Sequence, residues 1–273
     1  MGNRGDLTNE QWERIEPLLP KANTTRGQPA QDHRQLLNGI LWVLRTGAPW
    51  RDMPERYGKW TTIYNRFQRW RKSAVWEKML PSYRLCWMWK AMWTGKSISL
   101  TPRRCVPTNM PLVQKSSAEQ EALGRSRGGF STKIHFRCEG TGRLITFLLT
   151  PGQESDIRQA EKLMETGSIL RSSGHRRLRP NRVVADKGYT SQAFRKYLHQ
   201  RHIRCTITRR KNEHCRGSFE KSHYRKRNII ERLINRLKQF RRIATRYEKR
   251  AANFSAMITI ASLLLFSDFA YRL

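Results

Sequence analysis

No aspartate occurs between Asp52 and Asp156, and the stretch from Pro81 to Lys115 has no acidic residue at all. Acids are scarce throughout: 21 Asp+Glu stand against 54 Lys+Arg, giving a formal charge of +33. That imbalance excludes an acidic solvating protein and points to a polyanionic partner. Ribosomal and membrane-surface proteins share the bias, so charge alone does not choose among them. Long apolar runs are also missing. The longest, Ala256 to Phe266, is too short to span a bilayer and predicts a buried C-terminal helix. Only five Cys are present, without a paired pattern, and the N-terminus MGNRGDLTNEQW lacks an apolar leader core. A reduced, cytoplasmic protein with no membrane contact is expected. Internal repeats and low-complexity tracts are absent. What is present is 10% aromatic residues, nine of them Trp, which argues for folded domains over a basic tail.

The first 80 residues predict helices. Thr8 opens a T-x-x-Q capping pattern before QWERIEPLLP, which Pro20 closes. In DHRQLLNGILWVLRTG, Leu36, Leu37, Ile40, Leu41 and Leu44 form a stripe and Gly47 offers a C-cap. In TTIYNRFQRWRKSAVW, Ile63, Phe67 and Trp70 make a buried face and leave Arg66, Arg69, Arg71 and Lys72 for solvent or phosphate. The arrangement resembles a helix-turn-helix whose last helix reads DNA. A three-helix packing module without DNA contact is the alternative.

The centre predicts a sheet. FSTKIHFRCE and RLITFLLTPG flank a turn at Gly140 to Gly142 and form an antiparallel hairpin. Arg182 to Asp186 and HIRCTIT add two strands, separated from the hairpin and from each other by the helices DIRQAEKLMETGSIL and SQAFRKYLHQR. An α/β layer fold follows. RSSGHRRLRPNR reads as an exposed basic loop. GRSRGG lacks the Lys-Ser/Thr ending of a P-loop and instead offers Arg125 and Arg127 to DNA. His202, Cys205, His214 and Cys215 make a poor zinc set because the last two are adjacent. Asp156 follows a strand and suits a helix N-cap.

Between Tyr224 and Lys238 the chain reads YRKRNIIERLINRLK, with Tyr224, Arg227, Glu231 and Lys238 spaced by three, four and seven residues. At about 100° per residue these fall within roughly a 60° arc of one helix face. Ile230, Leu233, Leu237 and Phe240 lie opposite, so an apolar stripe docks the helix while a carboxylate, two cations and a phenol face outward. An ordinary basic surface helix with i,i+4 pairs is the plain alternative. Upstream, RVVADKGY carries Asp186 where a β-branched run gives way to a loop, a recurrent active-site position in open α/β sheets. Its other use is as N-cap of the next helix, for which Thr190 is better placed. Asp186 and Glu231 are hard oxygen ligands of the kind Mg²⁺ or Mn²⁺ takes when phosphates complete its shell. Phosphoryl transfer is the chemistry they suggest.

The order DKGY, then Tyr-x2-Arg-x3-Glu-x6-Lys, then FRRIATRYEKR and a closing apolar helix resembles DDE transposases of bacterial insertion sequences, the transposase 11 group of the insertion-sequence-5 type. The resemblance covers most of residues 1 to 80 and 117 to 273. It implies a ribonuclease-H-like α/β core carrying two Asp and one Glu, and metal-dependent DNA strand cleavage and strand transfer at element ends. It also implies Mg²⁺ or Mn²⁺, double-stranded DNA as partner, a homodimer, and a nucleoid-associated bacterial setting. Asp186 and Glu231 become catalytic metal ligands, Arg227 and Lys238 neutralise developing charge, and Tyr224 packs near the scissile phosphate. Residues 1–80 are then a helical DNA-binding domain, 81–116 an anomalous segment and 117–273 the catalytic domain. A DNA-binding product of a decayed element, without catalysis, is the rival reading. A basic RNA-binding protein is a third, supported by charge alone.

The resemblance requires a first Asp on the strand before GRSRGGFSTK, where this chain has none. Shifting the reading frame by one position through the anomalous segment forces Asp at Trp87-Met88, Glu at Trp89-Lys90, Asp at Trp93-Thr94 and Ala at Met110-Pro111. With permissible third bases, the junction of Leu100 and Thr101 encodes an Asp within a strand-like HFVDATAV. The segment is therefore expected to be translated out of frame, irregular and poorly packed, leaving the sheet without its central strand. Should a third acid lie elsewhere, Glu119, Glu121 and Asp156 are the candidates.

Overall fold

The computed structural model describes residues 5–20, 32–87, 97–105, 120–126, 129–167, 169–170, 176–177, 179–208 and 219–269. His214, Cys215, Glu119 and Arg127 lie outside them. Two compact units emerge, one of residues 1–91 with 237–273 and one of residues 92–236. This division differs from the expected boundaries, because the closing helix groups with the amino-terminal helices.

In the first unit, α1 (Asn9–Ile15) begins with the predicted capping box: Thr8 Oγ1 accepts from the Gln11 amide and Gln11 Oε1 from that of Thr8. Helix α2 (His33–Thr46) buries the predicted leucine stripe and ends at Gly47, whose φ of 74° is the left-handed turn that glycine favours. Helix α3 (Trp60–Lys72) buries Ile63, Phe67 and Trp70. Two 3₁₀ turns, Trp50–Asp52 and Glu55–Tyr57, occupy the link between α2 and α3. A helix-turn-helix joins its helices through a three- or four-residue turn, so α2 and α3 lack that geometry. Arg69 is exposed as expected, but Arg66 is half-buried, 3.1 Å from the His33 ring nitrogen and 5.8 Å over Trp70.

Helix α4 (Val75–Trp87) runs past residue 80 into the segment expected to be irregular. Trp76, Met79, Leu80 and Tyr83 bury its apolar side, and the Trp76 indole donates to the Phe67 carbonyl at 3.2 Å.

The second unit is built on a sheet. Its strands are β1 (Ser97–Cys105), β2 (Gly124–Ser126), β3 (Gly129–Glu139) and β4 (Leu144–Pro151), followed after α5 (Ala160–Glu165) and the short pair β5 (Ile169–Leu170) and β6 (Arg176–Arg177) by β7 (Arg182–Ala185). Helix α6 (Gln192–Gln200) leads to β8 (Arg204–Ile207). The hairpin partner β4 lies on β3, which pairs antiparallel with β1; β1, β7 and β8 then run parallel. The short β2 also pairs with β3, making six strands, and the path β4-β3-β1-β7-β8 with β3 reversed is a ribonuclease-H-like layout.

The central strand is present, which corrects the expectation that it would be lost. SISLTPRRC supplies alternation enough for one face, with Ile98 and Leu100 separated by Ser99, and Leu100 is fully buried. Backbone hydrogen bonds do the rest, since the ladder requires no particular side chain. Pro102 lies beyond Leu100–Ala185, the last pair with β7, where β1 has only β3 beside it. Leu100, Val183, Ala185, Phe194, Leu198 and Ile207 belong to one core cluster.

Other elements differ in detail. DIRQAEKLMETGSIL forms a 3₁₀ turn and the short α5, because Gly167 turns the chain at φ 80° and Ile169 enters β5. Part of the expected basic loop is β6. The cap of α6 is Ser191, whose hydroxyl accepts from the Phe194 amide, not Thr190. Helices α7 (Lys221–Arg225) and α8 (Asn228–Leu237) close this unit. Back in the first unit, α9 (Arg241–Ala244) precedes α10 (Ala251–Phe269), which buries the run from Ala256 to Phe266 as predicted. No helix among the described residues is long and apolar enough to cross a membrane.

Candidate active site

Asp186 sits at the end of β7, half-buried, where the sequence expects it. Its amide donates to the Leu100 carbonyl at 3.3 Å, and its carboxylate accepts from the Lys187 amide at 2.7 Å as it caps the turn Lys187–Tyr189. That turn is anchored from below. The Tyr189 hydroxyl is 2.8 Å from His135 Nδ1, and His135 Nε2 is 2.9 Å from Thr150 Oγ1; all three residues are buried. Burial lowers the His135 pKa to about 4, with Asp156 opposing and Lys133 adding to the shift. Burial and the nearby carboxylates of Asp156 and Asp186 push the Tyr189 phenol up. Both rings are therefore neutral hydrogen-bonding struts.

Asp156 is not a helix cap. Its carboxylate takes the Lys133 ammonium at 2.7 Å, while the same ammonium donates to the Glu154 carbonyl at 2.6 Å. A Cβ on Gly188 would stand 2.3 Å from Asp156 Oδ2, so the glycine of DKGY is set by close approach of this acid. The turn bearing Asp186 thus leans on the Lys133–Asp156 pair. Sequence reasoning missed Lys133, His135 and Thr150; in β3 polar residues alternate with Ile134, Phe136 and Cys138, so nothing in the pattern singles out Lys133 or His135.

The tetrad does not share one helix face. Lys226, Arg227, Ile229 and Ile230 donate to carbonyls three residues back, so the chain tightens between α7 and α8. Three-residue spacing then stacks Arg227 over the Tyr224 ring at 5.4 Å, and Arg227 reaches Glu231 at 2.7 Å. Tyr224, Arg227 and Glu231 come together, whereas Lys238 lies one residue past α8. Glu231 is partly exposed, and Ile230, Leu233, Leu237 and Phe240 are buried as predicted. A Cβ on Gly142 would meet Ile229 Cγ2 at 2.7 Å, so the hairpin turn abuts the start of α8. Arg125 lies on β2, its guanidinium 5.4 Å from the exposed Phe130 ring.

Among the described residues, no group of three His, Cys, Asp or Glu side chains is placed to hold a metal ion. The register explains the shortfall. Leu100 pairs with Ala185, so Thr101 is the next step beside Asp186, and side chains alternate along each strand. Leu100 and Ala185 share the core face, which leaves Thr101 and Asp186 on the other. Thr101 is buried and its hydroxyl donates to the Leu100 carbonyl at 2.8 Å. A hydroxyl therefore stands where the resemblance calls for a carboxylate, and the donor set does not fit a three-carboxylate centre.

Residues 104–266 match the family model described as "Transposase DDE domain", and residues 7–80 match that described as "Putative transposase of IS4/5 family". The chain belongs to the DDE transposase family. Among relatives of this family member, "Putative transposase for insertion sequence element IS402" of Burkholderia cepacia is 29% identical over 177 residues, 64% of this chain and 81% of that protein. "Uncharacterized protein y4sN" of Sinorhizobium fredii is 36% identical over 74 residues, 27% of this chain and 59% of its own length. A piggyBac transposase synaptic complex with hairpin DNA is similar at TM-score 0.48 and 13% identity, over 96% of this chain and 71% of that one. DDE transposases use divalent metal ions.

Proposed function

We propose that this chain binds the ends of an insertion sequence as duplex DNA, as a homodimer, and is impaired in strand cleavage and strand transfer as it stands. Asp186 and Glu231 are the two acids that this chain offers to Mg²⁺ or Mn²⁺, and Thr101 supplies no third. Arg227 orients Glu231, with Tyr224 stacked behind it. Lys238, Arg69 and Arg125 are cations for the DNA backbone, with Arg127 and the half-buried Arg66 beside them in the sequence's basic set.

The Leu100–Ala185 register carries this reading, since it makes Thr101 the neighbour of Asp186. The same observation favours the DNA-binding product of a decayed element over a competent enzyme. Thr101→Asp tests it. With purified protein, Mn²⁺ and a duplex carrying the element's own end, the unaltered chain is expected to bind without nicking. Thr101→Asp is expected to nick at least tenfold above that background, and Asp186→Asn in the same background to abolish the gain. Equal nicking by the unaltered chain and by Thr101→Asp would overturn the proposal.

A further inference from the structure

The first unit holds a cavity of about 520 Å³, far from featureless. Trp50, Tyr64 and Tyr247 line it, and Tyr247 is 38% exposed. Five cations border it against one carboxylate, Glu248. That carboxylate is already engaged by the Arg242 guanidinium and by Asn253 Nδ2, the latter at 3.3 Å. The remaining cations, Arg71, Lys72, Lys249 and Arg250, are uncommitted to any acid among the described residues.

Two of the lining side chains are more than nine-tenths buried and incompletely bonded. Arg242 donates to Glu248 and to the Ala48 carbonyl, yet its Nε has no hydrogen-bond partner among the described residues. Asn253 donates to Glu248, yet its Oδ1 has none either. Both unpaired atoms lack accessible surface, so they belong to the buried Arg242–Glu248–Asn253 cluster behind the cavity and not to its open face. Aromatic rings complement the face of a nucleobase, and a cationic rim complements its flanking phosphates. The volume also lies in the range of pockets for small ligands, about 300–1,000 Å³.

We propose that this cavity receives an unpaired nucleotide, its base stacked on Tyr247 beside Trp50 and its phosphates held by Arg71, Lys72, Lys249 and Arg250. The proposal rests on the DNA-binding reading, but the pocket lies in the first unit and uses none of the residues around Asp186. An aromatic–base stack contributes a factor of about five to a hundred in affinity.

The test compares the full chain's binding to a paired duplex, to an equal-length duplex carrying one unpaired adenine, and to deoxyadenosine monophosphate. The unpaired adenine is expected to improve affinity by about that factor. Tyr247→Ala should remove the preference while leaving paired-duplex binding unchanged, and Lys72→Gln should weaken the duplex with the unpaired adenine more than the paired one. Tyr247 is 38% exposed, so its loss is not expected to unfold the unit, and a thermal melt checks this. Competition by the mononucleotide without preference for the unpaired base would assign the pocket to free nucleotide. Equal affinity for both duplexes with no mononucleotide binding would overturn the pocket, while intact paired-duplex binding would leave the DNA-binding reading standing. Failure to bind either duplex would sink that reading instead, and the mononucleotide titration would still decide the pocket.

Discussion

His135 shows what single residues contribute here. The folded chain holds it neutral, at a pKa of about 4 against an ordinary 6.5, so acid favours the unfolded state, which takes up the proton first. Its stabilising contribution is present above about pH 6.5 and is lost as the pH falls from there through about 4. The loss is on the order of 3 kcal/mol. Thermal midpoints should therefore drop across that window, and His135→Gln should flatten the drop. An unchanged pH slope in the variant would show that another group is responsible. Gly188 makes a related point: DKGY looks like a turn signal, but the requirement for glycine comes from Asp156, 32 positions upstream in the chain.

At the scale of elements, β1 is the informative strand. Its sequence carries little of the apolar pattern of a central strand, yet it is flanked by β3 and β7 because Leu100 fits the core and the backbone completes both ladders. Leu100→Ala should cost roughly 2–5 kcal/mol in urea unfolding. Arg104→Ala, at an exposed position of the same strand, should cost no more than about 0.5 kcal/mol. Similar costs at both positions would mean that β1 is not packed as described. The α7–α8 break has the opposite lesson. Apolar periodicity correctly marks Ile230, Leu233 and Leu237, but it is blind to a local change from four- to three-residue hydrogen bonding, which decides whether Tyr224 stacks with Arg227.

For the whole molecule, the charge of +33 predicts binding dominated by phosphate contacts. The logarithm of duplex affinity should fall linearly with that of salt concentration, with a slope of about −0.9 per phosphate neutralised. A slope near zero in a salt titration would show that the basic surplus serves something other than the DNA backbone. Charge, the Thr8 and Gly47 caps, the β3–β4 hairpin and the placement of Asp186 at a strand end and Glu231 on a helix were set by the sequence alone, because each depends on composition or on residues close together in the chain. Tertiary structure alone decided that SISLTPRRC is the central strand, that Thr101 neighbours Asp186, and that Lys133, Asp156, His135 and Thr150 support the Asp186 turn. Those outcomes depend on strand register and on side chains brought together across the sheet, and neither is encoded in any local pattern.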